Sequence, residues 1–358
     1  MQPSTKPDAT AYFAQHTTAR LIITEAGSTK DRTSVPNESC FRRFRRPSRR
    51  PLVPRLAMSL IVRDEIELIS ANIEFHAAQG VDTFFVMDNG STDGTRERLE
   101  ELKRTHDIVV VDQPDTSYRQ GEWATELAHM AREIGKADYI ISNDADEFWV
   151  SRTGSLKDQC NDRSPVISAE RSNMLPLTEE ISQLSYPFYR SILRVVAPPS
   201  EGQRTTDPRA GVSIMVRVMP PKIMCSTKGL KRIPLGNHTV EHEAGRPVEA
   251  RGLHIYHFPV RPFDQFIRRI EFAKQHFSGE SPSVVKGNSS WHWRRWVAQM
   301  ELGLLRSEWE SFSLDRTEAA ALESRSVIRR DEIIRQFFAP DDGPGTSPML
   351  ARARVIGH

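Results

Sequence analysis

Apolar residues fall in two alternating rhythms along the first half of the chain. "LAMSLIV" (56–62), "TFFVM" (83–87), "IVVV" (108–111) and "YIIS" (139–142) are short apolar runs rich in β-branched and aromatic residues, which predicts four buried strands. Between the first two, Ile66, Ile69, Ile73 and Ala77 recur at helical spacing over 65–79, and Gly80 supplies a stop. A helix from Thr95 to Arg104 follows the second strand. Over 121–135, Trp123, Leu127, Met130 and Ile134 recur at steps of four, three and four, which gives a helix one apolar face. Strand and helix repeating at about 25-residue intervals predict an α/β fold: a mostly parallel sheet flanked by helices.

The second half is less regular. Short strands are predicted at 166–169, 191–196, 212–218 and 253–258, and helices at 262–277, 291–310 and 317–338, with Pro262 in a first turn. These complete the same domain with a helical C-terminal part, so the predicted division is a tail over 1–55, one domain over 56–340 and a second tail over 341–358. Within the domain, 56–150 is the regular half and 151–340 the less regular one.

Composition modifies that picture at the ends. The chain has 358 residues, 38% hydrophobic and 27% charged, with a net charge of +2, as a soluble globular protein with polar ends would have. The modest net charge hides seven arginines and no acid between Phe41 and Arg55. That run is predicted to be a solvated tail, and its chemistry also suits nucleic acid or peripheral contact with an anionic membrane. No apolar run approaches the ~20 residues that span a bilayer. "MQPSTKPDATAYF" lacks a basic stretch followed by an apolar core, so no secretion signal is expected. Cys40, Cys160 and Cys225 are far apart, form no metal-ligand pair and suggest a reducing compartment. A cytoplasmic location, at most peripheral to the inner face of a membrane, is the expectation.

The chemistry lies where strands end. In an open parallel sheet, ligands bind beyond the carboxyl ends of the strands. Here those ends carry acids: Asp64 and Glu65 after the first strand, Asp88 and Asp93 after the second, and Asp144, Asp146 and Glu147 after the fourth. Carboxylates so close raise one another's pKa unless a cation stands between them. If 144–146 is extended, Asp144 and Asp146 share a side and suit one hard divalent ion. "DNGSTDGT" (88–95) also approaches an EF-hand loop, but the preceding "TFFVMD" reads as a strand. A plain turn with Asp93 capping the next helix is the alternative to a nucleotide-binding turn.

"SLIVRDE", "GVDTFFVMDNGSTDGT", "YIISNDADEFWV" and, further on, "GLHIYHFPVRPFDQFIRRI" (252–270) resemble, in order, the motifs of bacterial family 2-like glycosyltransferases with the GT-A, Rossmann-like fold. The resemblance implies a hexosyltransferase-like enzyme of polysaccharide biosynthesis. It would move sugar from a UDP- or GDP-sugar to a glycan or lipid-linked acceptor, with inversion. It also implies Mn²⁺ or Mg²⁺ on the donor diphosphate, held by the D-x-D pair Asp144 and Asp146, with His257 completing the set. Asp146 is the favoured direct ligand, and His238 is a second histidine to consider. Asp88 would hold base or ribose, with Arg63, Glu65, Asn89 and Asp93 around the nucleotide. Arg63-Asp64-Glu65 departs from the basic residue and Asn that usually precede this Glu, and Pro262 stands where relatives carry Ser. His254, three residues from His257, falls on the opposite face of a strand. No motif fixes the catalytic base, for which Glu241 and Asp264 are the acids to consider. Trp291, His292, Trp293 and Trp296 read as a packed helix face rather than a sugar platform.

Other functions make different demands. A nucleotidyltransferase acting on sugar phosphates would carry a Gly-rich signature near its first strand, and "LAMSLIVRDE" has none. A haloacid-dehalogenase-type phosphatase has its D-x-D near the chain start. A nucleic-acid-binding protein would work through Arg42–Arg55 with steep salt dependence; no nucleic acid is expected for the domain itself.

Overall fold

The computed structural model describes residues 53–115, 119–161, 163–181, 186–198, 213–277 and 291–339. All lie within one compact unit, Leu52–His358. The tail expectations, with the arginine run up to residue 52, fall outside the described residues.

The elements are, in order, β1 (Leu56–Val62), α1 (Ile66–Ala78), β2 (Thr83–Asp88), α2 (Thr95–Leu102), β3 (Ile108–Asp112), α3 (Gln120–Glu133), β4 (Tyr139–Asn143) and β5 (Glu147–Ser151). Then come β6 (Val166–Leu175), α4 (Thr178–Ile181), β7 (Leu193–Val195), β8 (Lys222–Ser226), β9 (Leu230–Arg232), β10 (Glu241–His242) and β11 (Val248–His257). The chain continues through α5 (Phe263–Phe277), α6 (Trp291–Glu301), α7 (Leu305–Glu310), α8 (Arg316–Ser324), β12 (Ile328–Arg330) and α9 (Ile333–Phe338).

The predicted α/β class holds: a central sheet is flanked by helices, and its first half is wholly parallel, in the order β3-β2-β1-β4. The sheet continues through β8, β6, β7 and β12 by antiparallel pairs. β11 lies parallel to β6 and antiparallel to β5.

Alternation along β1 builds two cores. Leu56, Met58, Leu60 and Val62 face α1 and α2, where they join Ile69, Ile73, Leu99 and Leu102. Ala57 faces the other way, with Phe85, Met87 and Ile140 against Trp123 and Leu127 of α3. Burying each large apolar side chain contributes about 1.5–3 kcal/mol. The two faces therefore fix the register that brings the ends of β1, β2 and β4 to one edge. Gly80 stops α1 as expected, at φ +98°, and a Cβ there would stand 2.6 Å from Ser155 Oγ.

The second half departs from the sequence pattern in several places. The expected helix over 291–310 is two, α6 and α7, separated at Leu302–Leu304 where Gly303 takes φ +70°. The expected helix over 317–338 breaks after Ser324: Ser326 is left-handed, and β12 pairs with β7 before α9 begins. Ile328 gains more by entering the core beside Leu193 and Val195 than by continuing a helix. Residues 213–218 form turns rather than the predicted strand. β5, which starts at Glu147, was hidden because the acids before it read as a loop. Trp296 of α6 does pack inward, meeting Phe266 and Phe312.

Candidate active site

Val62 pairs with Asp88 and Leu60 with Asn143, so the acid-bearing ends of β1, β2 and β4 are neighbours. Beyond β1, Asp64 adopts a left-handed φ of 54°, a conformation that Asp tolerates better than most residues. Its carboxylate accepts from Thr92 N at 2.7 Å, and its own N–H donates to Ser91 Oγ at 3.0 Å.

"DNGSTDGT" is mainly a clamp. Asp93 Oδ1 accepts from Thr95 N and Oγ1 at 2.9 and 2.6 Å, and Oδ2 accepts from Ile66 N at 3.1 Å. One carboxylate thus satisfies the first turns of both α1 and α2, which is the capping alternative. Thr95 Oγ1 in turn accepts from Glu65 N at 2.8 Å. Asn89 Nδ2 donates to Gln113 O and Asp115 O, fixing the loop after β3. Arg63 donates to Asn89 O and lies 4.1 Å over the Phe272 ring. The strand β2 in front of this loop excludes an EF-hand. Asp88 is different: Oδ2 accepts from Ser91 N at 3.1 Å, while its buried Oδ1 has no hydrogen-bond partner among the described residues.

The second acid group sits on a tight turn between β4 and β5, closed by Glu147 N donating to Asp144 O at 3.1 Å. The segment is not extended, so Asp144 and Asp146 do not share a strand face. Asp144 Oδ2 meets Lys222 Nζ at 2.6 Å. Lys222, on β8, is wholly buried and also lies 3.3 Å from Glu147 Oε2, while the other Glu147 oxygen accepts from Arg171. Burial raises the pKa of Asp144, but Lys222 and Arg171 outweigh it, and the carboxyl ends below its ordinary range. Glu147 is therefore a buried ion-pair member rather than an open rim acid.

Asp146 faces the other way. Its Oδ1 is 3.6 Å from His257 Nε2 and its Oδ2 3.8 Å from Arg269 of α5. Burial again opposes ionisation, and His257, Arg269 and Arg261 together hold the carboxyl far below its usual range. Arg261 bridges Glu65 at 2.9 Å and Glu67 at 3.4 Å. Glu67 moves the opposite way, raised by its burial against the pull of Arg261.

A hydrogen-bond chain fixes the proton on His257. Asn173 Nδ2 donates to Met215 O at 2.7 Å, so Asn173 Oδ1 faces His257 Nδ1, also at 2.7 Å. Nδ1 must donate, which leaves Nε2 as the ring atom turned toward the Asp146 carboxylate. His254 faces away, to Ser172 Oγ at 3.0 Å. His238 bonds Pro221 O, and burial lowers its pKa to about 4.

The turn is held from α1 by residues that sequence reasoning missed. Asn72 Nδ2 donates to Ala145 O and Glu147 O at 2.9 and 3.1 Å. His76 donates through Nδ1 to Asn72 O and accepts from Trp149 N at 3.0 Å. Trp149 Nε1 donates to Asn143 Oδ1 at 2.9 Å, so the aromatic after the acids is part of the brace. An Asn and a His four residues apart on α1 were the available signal.

The two acids considered as base lie elsewhere. Glu241 is exposed on the separate β9–β10 hairpin, paired with Arg232 at 3.3 Å. Asp264 is exposed in the first turn of α5, 3.2 Å from Arg268. Among the described residues, no group of three or more His, Cys, Asp or Glu is gathered to hold a metal ion. No described helix is long and apolar enough to cross a membrane.

No protein-family model and no curated protein matches the chain. Among solved structures it is similar to residues 1–349 of S. aureus TarS, at 14% identity over 75% of each chain, with a TM-score of 0.37. The same protein in complex with UDP-GlcNAc aligns at 12% identity over 75% of this chain and 76% of that chain, TM-score 0.34. A mycobacterial protein aligns at 15% identity over 63% and 73% of the two chains, TM-score 0.31. Overlaps this slight carry no argument about family or activity.

Proposed function

We propose that the protein is a metal-dependent glycosyltransferase. It would move a hexosyl group from a UDP- or GDP-sugar to a hydroxyl of a glycan or lipid-linked acceptor, with inversion. The observation that carries this reading is the Asp146–His257 pair, a carboxylate and an imidazole Nε2 3.6 Å apart at the carboxyl edge of a parallel sheet, with the far ring nitrogen held by Asn173.

The residues present fit a divalent ion. Mg²⁺ and Mn²⁺ sites of this kind take one or two protein ligands and complete their shell with substrate phosphates and water. Asp146 and His257 would be those ligands, and Asn173 the outer partner that sets the ring's tautomer. Asp144, tied to Lys222, supports the turn rather than joining a two-carboxylate chelate. When bound, the ion would neutralise charge on the leaving diphosphate. Asp88 Oδ1, buried and with no donor among the described residues, suits a base N–H or ribose hydroxyl. Of the two acids considered as base, Asp264 shares α5 with Arg269, whereas Glu241 belongs to a separate hairpin; Asp264 is the one to test first.

Manganese resonance tests the pair directly. In the presence of UDP or GDP, the protein should remove the signal of free Mn²⁺, and His257→Ala should weaken that uptake by about tenfold or more. Undiminished uptake by His257→Ala would remove the pair from the site.

A further inference from the structure

A histidine beside the Lys222–Asp144 pair has a fixed tautomer and an unused nitrogen. β8 runs antiparallel to β4 with Met224 opposite Ile141, so Pro221 and Lys222 enter the sheet at the edge where Asn143 and Asp144 leave it. His238 Nδ1 lies 3.0 Å from Pro221 O, which can only accept, so Nδ1 carries a proton. Burial, helped by the charges of Lys222 and Arg171, lowers the ring's pKa to about 4. At pH 7 the ring is therefore neutral, and its Nε2 lone pair has no hydrogen-bond partner among the described residues. The loop after β9 is shaped around this ring. Gly236 at φ +83° and Asn237 at φ +56° turn the chain back, and a Cβ on Gly236 would stand 2.9 Å from His238 Cδ2 and 3.1 Å from Nε2. A side chain at 236 would thus displace the imidazole. Gly236 N donates to Gln120 Oε1 at 3.2 Å, which ties the loop to α3.

We propose that His238 is the catalytic base of sugar transfer, its Nε2 accepting the proton of the attacking hydroxyl. The role rests on the glycosyltransferase reading above and names the base which that reading lacks. As the hydroxyl oxygen bonds to the anomeric carbon, its proton passes to Nε2, and the bond from that carbon to the diphosphate breaks with its electron pair leaving on the diphosphate. The imidazolium so formed is favoured by the Asp144 carboxylate nearby and returns its proton to solvent. The two acids considered as base are less suited. Both are exposed, and each is held by an arginine, Glu241 by Arg232 at 3.3 Å and Asp264 by Arg268 at 3.2 Å.

Donor hydrolysis, with water as the attacking hydroxyl, tests the role on the full chain in Mn²⁺. The donors are UDP-GlcNAc, UDP-glucose and GDP-mannose, and calorimetry with UDP and GDP on the same samples separates binding from transfer. His238→Asn puts an amide N–H near the place of Nδ1, so the bond to Pro221 O can persist while Nε2 is lost. The variant should bind nucleotide as the parent does and release it about 10²-fold more slowly. His238→Gln is the variant to use if His238→Asn does not fold. Release within about threefold of the parent overturns the assignment and leaves the glycosyltransferase reading intact. Nucleotide binding lost together with release, or the loss appearing in Asp264→Asn instead, does the same. A parent that binds nucleotide yet hydrolyses none of the three donors has no base acting on water, which also overturns the assignment. Failure of the parent to bind either UDP or GDP overturns the glycosyltransferase reading and the assignment with it.

Discussion

Acidification from pH 7 to 4.5 should destabilise the protein by about 2.5 kcal/mol through His76 alone. Burial lowers this imidazole's pKa from 6.5 to about 3, against a smaller opposing effect from its bond to Asn72 O. The neutral ring is fully used, donating to Asn72 O and accepting from Trp149 N, so a second proton has no place in the fold. In the unfolded chain the same ring takes up a proton below about pH 6.5. Between pH 6.5 and 3 the unfolded state therefore binds more protons, and stability falls as pH falls. At about 1.4 kcal/mol per unit, two units below 6.5 give about 2.7 kcal/mol, of which roughly 0.2 is already lost at pH 7. Carboxylates with lowered pKa, Asp144 among them, push in the same direction, so the measurement must be a difference. Urea unfolding at both pH values, for the parent and for His76→Gln, supplies it. The variant should lose about 2.5 kcal/mol less on acidification than the parent does. Equal losses would refute the reasoning. So would an NMR titration of the parent in which the His76 ring takes up a proton above pH 4.5 in the folded state.

Three further predictions follow from the same contacts. Lys222→Met should cost about 3 kcal/mol in urea unfolding, the low end for breaking a buried pair, because Glu147 keeps Arg171 and Asp144 is partly open to water; a loss under about 1 kcal/mol would show the network to be idle. Asp93→Ala removes acceptors at two helix starts and should cost about 1–2 kcal/mol, while Glu97→Ala, exposed on α2, should stay within about 0.5. Asn173→Leu should leave Mn²⁺ uptake with UDP reduced by about tenfold, read by manganese resonance, because the His257 tautomer is no longer set; unchanged uptake would deny Asn173 that role.

The first half of the fold was legible because each strand and helix there repeats its own period, and β1 through β4 appear near their expected bounds. The rim acids were legible for the same reason: parallel order places strand ends together. The charges that answer them were not. Lys222 in "PPKIMCS" reads as a surface residue, and only the pairing of β8 with β4 and β6 carries it beneath Asp144 and Glu147. Arg171 and Asn173 enter through β6, about 25 residues beyond the turn, by pairing with β11. Long-range register of this kind leaves no local mark in a sequence. Asp144 and Asp146 show the limit from the other side: their spacing suggested a shared face, but the turn between β4 and β5 directs them to different partners.

Calorimetry with UDP and GDP, in Mn²⁺ and in EDTA, on the parent and on Asp146→Asn, reaches the central claim most directly. One nucleotide should bind the parent in Mn²⁺ and raise its stability by about 2.7 kcal/mol at a hundred times its dissociation constant. Binding should be lost in EDTA, and Asp146→Asn should fold yet bind on the order of 10²-fold more weakly, the loss of one charged ligand. Nucleotide binding of equal strength in EDTA, or unimpaired in Asp146→Asn, would contradict the account.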